Sequence, residues 1–210
     1  MSLPPGNVAA EAPGGPGFRS PVSPVLIGFM ASGKSAVGRA AAERLDLDFI
    51  DTDVAVVAAH GPISAIFARG GEALFRHVEG AVVLDVLSSH GPERALVALG
   101  GGAVTIPAVR AALSGSLLVV WLTAPAGVLW ERARRAPRGA RPLAEDEAAF
   151  RALLAEREAL YRDVAGAIVA NDGGRPLEAV AAEVAALIHA AQATPAGVEV
   201  PSAGASGGEA

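Results

Sequence analysis

The stretch Gly28-Phe29-Met30-Ala31-Ser32-Gly33-Lys34-Ser35 fits G-x-x-x-x-G-K-[ST] at every fixed position. Each of those residue types suits a polyphosphate. Gly28 and Gly33 let the backbone wrap with its N–H groups turned inward, and the positive end of a following helix adds to them. Lys34 can reach the β- and γ-phosphates, and Ser35 offers a hydroxyl to Mg²⁺. Among the 17 Lys and Arg residues, Lys34 is the only lysine. A compact ammonium fits between two phosphates where a planar guanidinium does not, so the chain keeps lysine where a cradle needs that shape.

Asp51-Thr52-Asp53 brings two carboxylates close together. On an extended segment residues two apart leave the same face about 7 Å from each other, so one carboxylate can face the metal and the other the acceptor. Phosphoryl transfer to a hydroxyl needs both, since the acceptor must be oriented and must lose a proton. The same triplet would also cap a helix beginning near Val54. In Gly71-Glu72-x-x-Phe75-Arg76-x-x-Glu79, helical spacing places Glu72, Arg76 and Glu79 on one face. That is either a surface ladder of ion pairs or an arginine held by flanking acids and aimed at an anion. Gly100-Gly101-Gly102 reads as a turn with positive φ or as backbone N–H groups exposed to an anion. Arg134, Arg135, Arg138 and Arg141 sit among Pro and Gly, as a solvated charge run or as a lid over the transferring phosphates.

These groups need elements to position them. Val25 to Ile27 reads as a buried strand entering the glycine-rich turn, and Ala36 to Leu45 as the helix leaving it. Further strands are expected at Leu47 to Ile50, Ala95 to Leu99, Leu117 to Leu122 and Ala167 to Ala170. Helices are expected at Val54 to Ala59, Ile63 to Arg69, Glu72 to Ser89, Pro107 to Leu113, Ala126 to Arg135, Glu147 to Arg162 and Pro176 to Ala191. Gly61-Pro62 and Gly70-Gly71 break this series. Alternating strands and helices predict a single three-layer α/β/α domain with a parallel sheet, whose ligands lie beyond the carboxyl ends of the strands. The glycine-rich turn, the Asp pair and the triple glycine each follow a strand, so they should converge on one crevice. The domain should span 25–191, with a mobile lid at about 134–146. Residues 1–24 and 192–210, rich in Pro, Gly and Ala, should be disordered.

Composition removes several classes of function. With 51% hydrophobic and 19% charged residues the chain is globular, and a net charge of −5 gives no basic face for nucleic acid or an anionic membrane. The absence of cysteine excludes disulfides, thiolate catalysis and Cys-based zinc sites. His60, His77, His90 and His189 show no ligand spacing. No apolar run reaches membrane-spanning length, and the N-terminus lacks the basic start and apolar block of a signal peptide.

Taken in order, Gly-Phe-Met-x-x-Gly-Lys-Ser, Asp-Thr-Asp, Gly-Glu-x-x-Phe-Arg-x-x-Glu, Gly-Gly-Gly-Ala, Arg141-Pro142-Leu143 and Arg157-x-x-Leu160-Tyr161 resemble the shikimate kinases, P-loop kinases of the nucleoside-monophosphate-kinase-like group. The resemblance covers Val25 to Ile188. It implies ATP as co-substrate, bound by Gly28, Ala31, Ser32, Gly33, Lys34, Ser35 and Ala36, and Mg²⁺ at Ser35 and Asp51. It implies that Asp53 binds the shikimate hydroxyls and acts as the base. Arg76, the Gly100-Gly101-Gly102 turn and Arg157 would hold the carboxylate and ring hydroxyls. Arg141 would reach the transferred phosphate, and Arg132 would flank the adenine with the loop near Arg175. It further implies a cytoplasmic monomer acting in aromatic amino-acid biosynthesis. Ala144 stands where the family usually has a second leucine, and Ala31 where it often has glycine. A kinase of another polyol acid such as gluconate, or a nucleotide-dependent binding module, is the alternative on the P-loop alone.

Overall fold

The computed structural model describes residues 23–90, 94–135 and 146–193. Strands Val25–Ile27 (β1), Asp48–Asp51 (β2), Ala95–Ala98 (β3), Val119–Thr123 (β4) and Ala167–Ala170 (β5) form one five-stranded sheet in the order β2-β3-β1-β4-β5. Every pairing is parallel, with Val25 opposite both Val97 and Val119. A parallel sheet is covered on both faces, so its central strands are apolar at every position instead of at alternate ones. Val25, Ile27, Val97, Leu99, Val119 and Trp121 point into one core. Leu26, Leu96, Ala98, Val120, Leu122 and Val169 point into the other.

The helices are Lys34–Leu45 (α1), Thr52–His60 (α2), Ile63–Ser89 (α3), Pro107–Leu113 (α4), Ala126–Arg134 (α5), Glu147–Val164 (α6) and Leu177–Ala193 (α7), with a 3₁₀ turn at Ala103–Thr105. α1 and α7 cover the Leu26 face through Val37, Ala41, Val180 and Val184. α3, α4, α5 and α6 cover the Val25 face through Val83, Val109, Leu129 and Tyr161. The adjacent strands β1 and β3 thus send their following segments to opposite faces, which opens a crevice at their carboxyl ends. Among the described residues no single helix is long and apolar enough to cross a membrane.

Two local differences from the sequence reading matter for the site. α1 starts at Lys34 and α2 at Thr52, each two residues earlier than the apolar periodicity placed them. The early start of α2 means that Asp51 ends a strand while Asp53 lies in a first helical turn, so the two are not neighbours on one extended segment. The cause is capping: the Asp51 carboxylate accepts the Asp53 N–H at 3.0 Å. In contrast, Gly70-Gly71 breaks α3 as expected, with Gly71 at φ 64° and ψ −160°, a conformation open essentially to glycine alone. A small core of Val56, Ile66 and Phe75 ties α2 to both halves of α3.

Candidate active site

The crevice is a cleft of about 450 Å³ at the carboxyl ends of β1, β2 and β3. Met30, Ala31, Gly33, Lys34, Ser35 and Ala36 form its floor, as the P-loop pattern requires. Gly33 takes φ 93° as the N-cap of α1. The Lys34 ammonium is held over the loop by the carbonyls of Gly28 and Phe29, at 2.8 and 3.1 Å. Gly28 does not line the cleft. It is glycine because a side chain there would run into the Leu122 carbonyl oxygen on β4. Ser32 is fully buried and also stands off the wall.

Ser35 Oγ donates to Asp51 Oδ2 at 2.5 Å, while Asp51 Oδ1 caps α2. The helix-cap reading of the Asp triplet thus holds for Asp51, whose other oxygen meets the Ser35 hydroxyl. A serine hydroxyl beside a carboxylate is the hard-oxygen donor set that Mg²⁺ accepts when phosphate and water complete its octahedron, so these residues fit the ion. Asp53 faces the cleft two residues further on, in the first turn of α2. Thr52 between them is buried and accepts the Gly100 N–H on Oγ1 at 2.9 Å, which locks the start of α2 to the end of β3.

Of the two readings of the triple glycine, the turn with positive φ does not hold, since none of the three takes a positive φ. Space is the reason. A side chain on Gly100 would collide with the Asp53 and Glu79 carboxylates, and one on Gly102 would collide with the Arg76 guanidinium. Gly101 and Gly102 line the cleft, whereas Gly100 lies beneath it with its N–H on Thr52.

Arg76 is held by Glu72 at 3.0 Å and by Glu79 at 2.5 Å. This is not a surface ladder, because Glu79 is only 1% exposed. Burial pushes the Glu79 carboxyl above the usual range against the pull of Arg76, with the nearby Asp53 adding to the rise. Burial opposes the charge on Arg76 as well, but its two acids outweigh it and raise its pKa. Arg157 is also buried, at 3% exposure, and not a solvent-facing member of α6. It approaches the Gly101 carbonyl at 3.4 Å and lies 5.7 Å from the Phe29 ring centroid, and burial lowers its pKa. Its Nε finds no partner among the described residues.

At the other end Arg132 lines the cleft and donates to the Asn171 carbonyl at 2.8 Å. Arg175 does not reach the wall. Its guanidinium pairs with Glu183 at 2.6 Å and caps the Ala179 carbonyl, both on α7. Arg138 and Arg141, and with them the expected lid and most of its span, lie outside the described residues, as do most of the two terminal segments. Asn171 escaped the sequence reading, and Thr52 and Tyr161 entered it only as parts of motifs. Asn171 directly follows β5, the same signal that singled out the other three strand ends.

The shikimate kinase family model matches residues 30–189. The shikimate kinase of Halorhodospira halophila is 42% identical over 162 residues, which cover 75% of this chain and 89% of that one. A solved shikimate kinase from Acinetobacter baumannii in complex with shikimate superposes with a TM-score of 0.74 at 30% identity, over 83% of this chain and 97% of that one. The shikimate kinase structure from Aquifex aeolicus gives a TM-score of 0.67 at 32% identity, over 81% and 98%.

Proposed function

The chain belongs to the shikimate kinase family, and on that premise we propose that its cleft transfers the γ-phosphoryl group of ATP to the 3-hydroxyl of shikimate. The observation that supports the reading is that one cleft is lined by Lys34, suited to phosphate, by Arg76 and Arg157, suited to a carboxylate, and by Asp53. Two guanidiniums suit a carboxylate because each offers donors in a fixed fork. The Gly101-Gly102 turn adds backbone beside them. The acidic partners of Arg76 fix its head and leave little rotamer freedom to lose on binding.

In the proposed reaction the 3-hydroxyl oxygen attacks the γ-phosphorus as Asp53 takes its proton. The new O–P bond forms while the bond from the γ-phosphorus to the β–γ bridging oxygen breaks, releasing ADP. Lys34 stabilises the charge that builds on the β- and γ-oxygens. Ser35 and Asp51 would hold Mg²⁺, which when bound neutralises charge on those same oxygens. Arg132, which lines the cleft, and the loop near Arg175 are assigned to the adenine, and Arg141 to the transferred phosphate. All these groups come from one chain, so a monomer suffices, and a reaction drawing on ATP and Mg²⁺ belongs in the cytoplasm. Steady-state assay with ATP should release ADP only when shikimate is added. Equal release with gluconate would favour the other polyol-acid kinases, and release with no acceptor would favour a nucleotide-dependent module.

A further inference from the structure

Two buried side chains behind the cleft use the same geometry. A trans peptide unit holds its C=O and the next N–H on opposite edges, and no cis bond occurs among the described residues. A donor that grips a loop carbonyl from the protein interior therefore turns the following N–H to the other side of the loop. Asn171 does this to Ser32: its Nδ2 donates to the Ser32 carbonyl at 2.8 Å, so the Gly33 N–H is turned away from it, on a residue that lines the cleft. Tyr161 does it to Gly101: its hydroxyl donates to the Gly101 carbonyl at 2.5 Å, with Arg157 at a longer 3.4 Å from the same oxygen, so the Gly102 N–H is turned away from both, on a residue that lines the cleft beside Arg76.

Both donors are fixed in place. Asn171 is 9% exposed, and its own N–H donates to the Thr123 carbonyl at 2.8 Å at the end of β4. Tyr161 is 1% exposed, and its ring stacks on Trp121 at a centroid distance of 5.8 Å. Burial pushes the Tyr161 pKa up, so the hydroxyl keeps the proton it donates. Neither residue lines the cleft.

We infer that Asn171 and Tyr161 are positioning residues with separate clients: Asn171 aims the Gly33 N–H at the nucleotide phosphates, and Tyr161 aims the Gly102 N–H at the acceptor. The inference rests on the reading that the P-loop end of the cleft takes ATP and the Arg76 end takes shikimate. Side chains that only fill the core would, when altered, lower stability and shift both substrates together or neither.

The test varies both substrates in steady-state assays of the full chain and titrates ADP directly. Tyr161→Phe removes one oxygen and keeps the ring on Trp121. It should raise KM for shikimate about tenfold, the loss of roughly one hydrogen bond, and leave KM for ATP within about twofold. Asn171→Leu keeps the approximate volume without a donor and should do the reverse, weakening ADP binding by about tenfold. Asn171→Thr against Asn171→Val, equal in shape and different in the hydroxyl, repeats the comparison if the leucine variant does not fold. Equal shifts of both KM values in either variant, or a lower melting temperature with unchanged KM values, would overturn the inference. Failure of the wild type to turn over shikimate would instead overturn the functional reading, and the ADP titration of the Asn171 variants would still decide its half.

Discussion

Lys34, the lone lysine, is fixed over the P-loop by two carbonyls, and its ammonium is the shape the loop accommodates. Lys34→Arg should therefore keep the melting temperature and lose turnover by orders of magnitude, since a forked head displaces the phosphates it should sit between. Near-normal turnover would remove the loop from the mechanism. The two aspartates separate by what each touches. Asp53→Asn cannot accept a proton, so turnover should fall by about 10² to 10⁴ with ADP affinity retained. Asp51→Asn disturbs the Ser35 partner, so its lost rate should be partly restored by added Mg²⁺. A metal titration of both variants side by side checks this, and rescue of Asp53→Asn instead would reverse the roles. Glu79 adds a pH dependence. Its folded pKa is raised, so the folded state binds its proton more tightly than the unfolded state does. The resulting stability is complete below an unfolded value of about 4.3 and is lost as pH rises through the folded value. Denaturation of wild type and Glu79→Gln across this range should show the wild type losing ground as pH rises; a constant difference would contradict it.

Elements are joined at glycines whose missing side chains are occupied by neighbours. Gly38 on α1 faces Phe49 of β2 and, at 2.9 Å from an added Cβ, Leu26 of β1. Two effects compete in Gly38→Ala. Helix propensity gains about 1 kcal/mol, while forcing a methyl into this contact costs about 1–3 kcal/mol. The contact is with packed core side chains, so the loss should win, and urea unfolding should show a lower midpoint with an unchanged slope. Gly102 tests the same principle within the site. Gly102→Ala should push Arg76 from its place and raise KM for shikimate far more than KM for ATP, because the P-loop lies on other strand ends. The break at Gly70-Gly71 belongs to this scale too, since it lets α3 place Phe67 and Phe75 on the cleft wall from two differently directed segments.

The whole molecule is one sheet with two covered faces, and the cleft lies where adjacent strands part to opposite faces. The P-loop end of the cleft draws on the turn after β1, on α1 and on α5, so a nucleotide bound there would tie together segments distant in sequence. ADP at 100 times its Kd adds about 2.7 kcal/mol to the folded state, which for a protein of this size is a rise of about 5–10 °C in melting temperature. Calorimetry with ADP alone, shikimate alone and both should show separate increments from the two ends. No increment from ADP would mean that the P-loop does not take nucleotide.

Sequence by itself determined the P-loop and the layered sheet, and it placed the three strand-end motifs in one crevice. Those features depend on local backbone chemistry and on apolar runs, which a chain displays residue by residue. Arg76 between Glu72 and Glu79 was also legible as a helical spacing. Only tertiary structure decided that Glu79 and Arg157 are buried, because burial is set by what packs over a helix face. The triple glycine turns without a positive φ and is there for room, since Asp53, Glu79 and Arg76 arrive from other elements. Asn171 reaches Ser32 across a separation of 139 residues and Thr52 reaches Gly100 across 48. Neither bond follows from residue type or spacing, because the fold, by laying β5 and β2 on opposite edges of one sheet, chooses which strand ends meet behind the ligands.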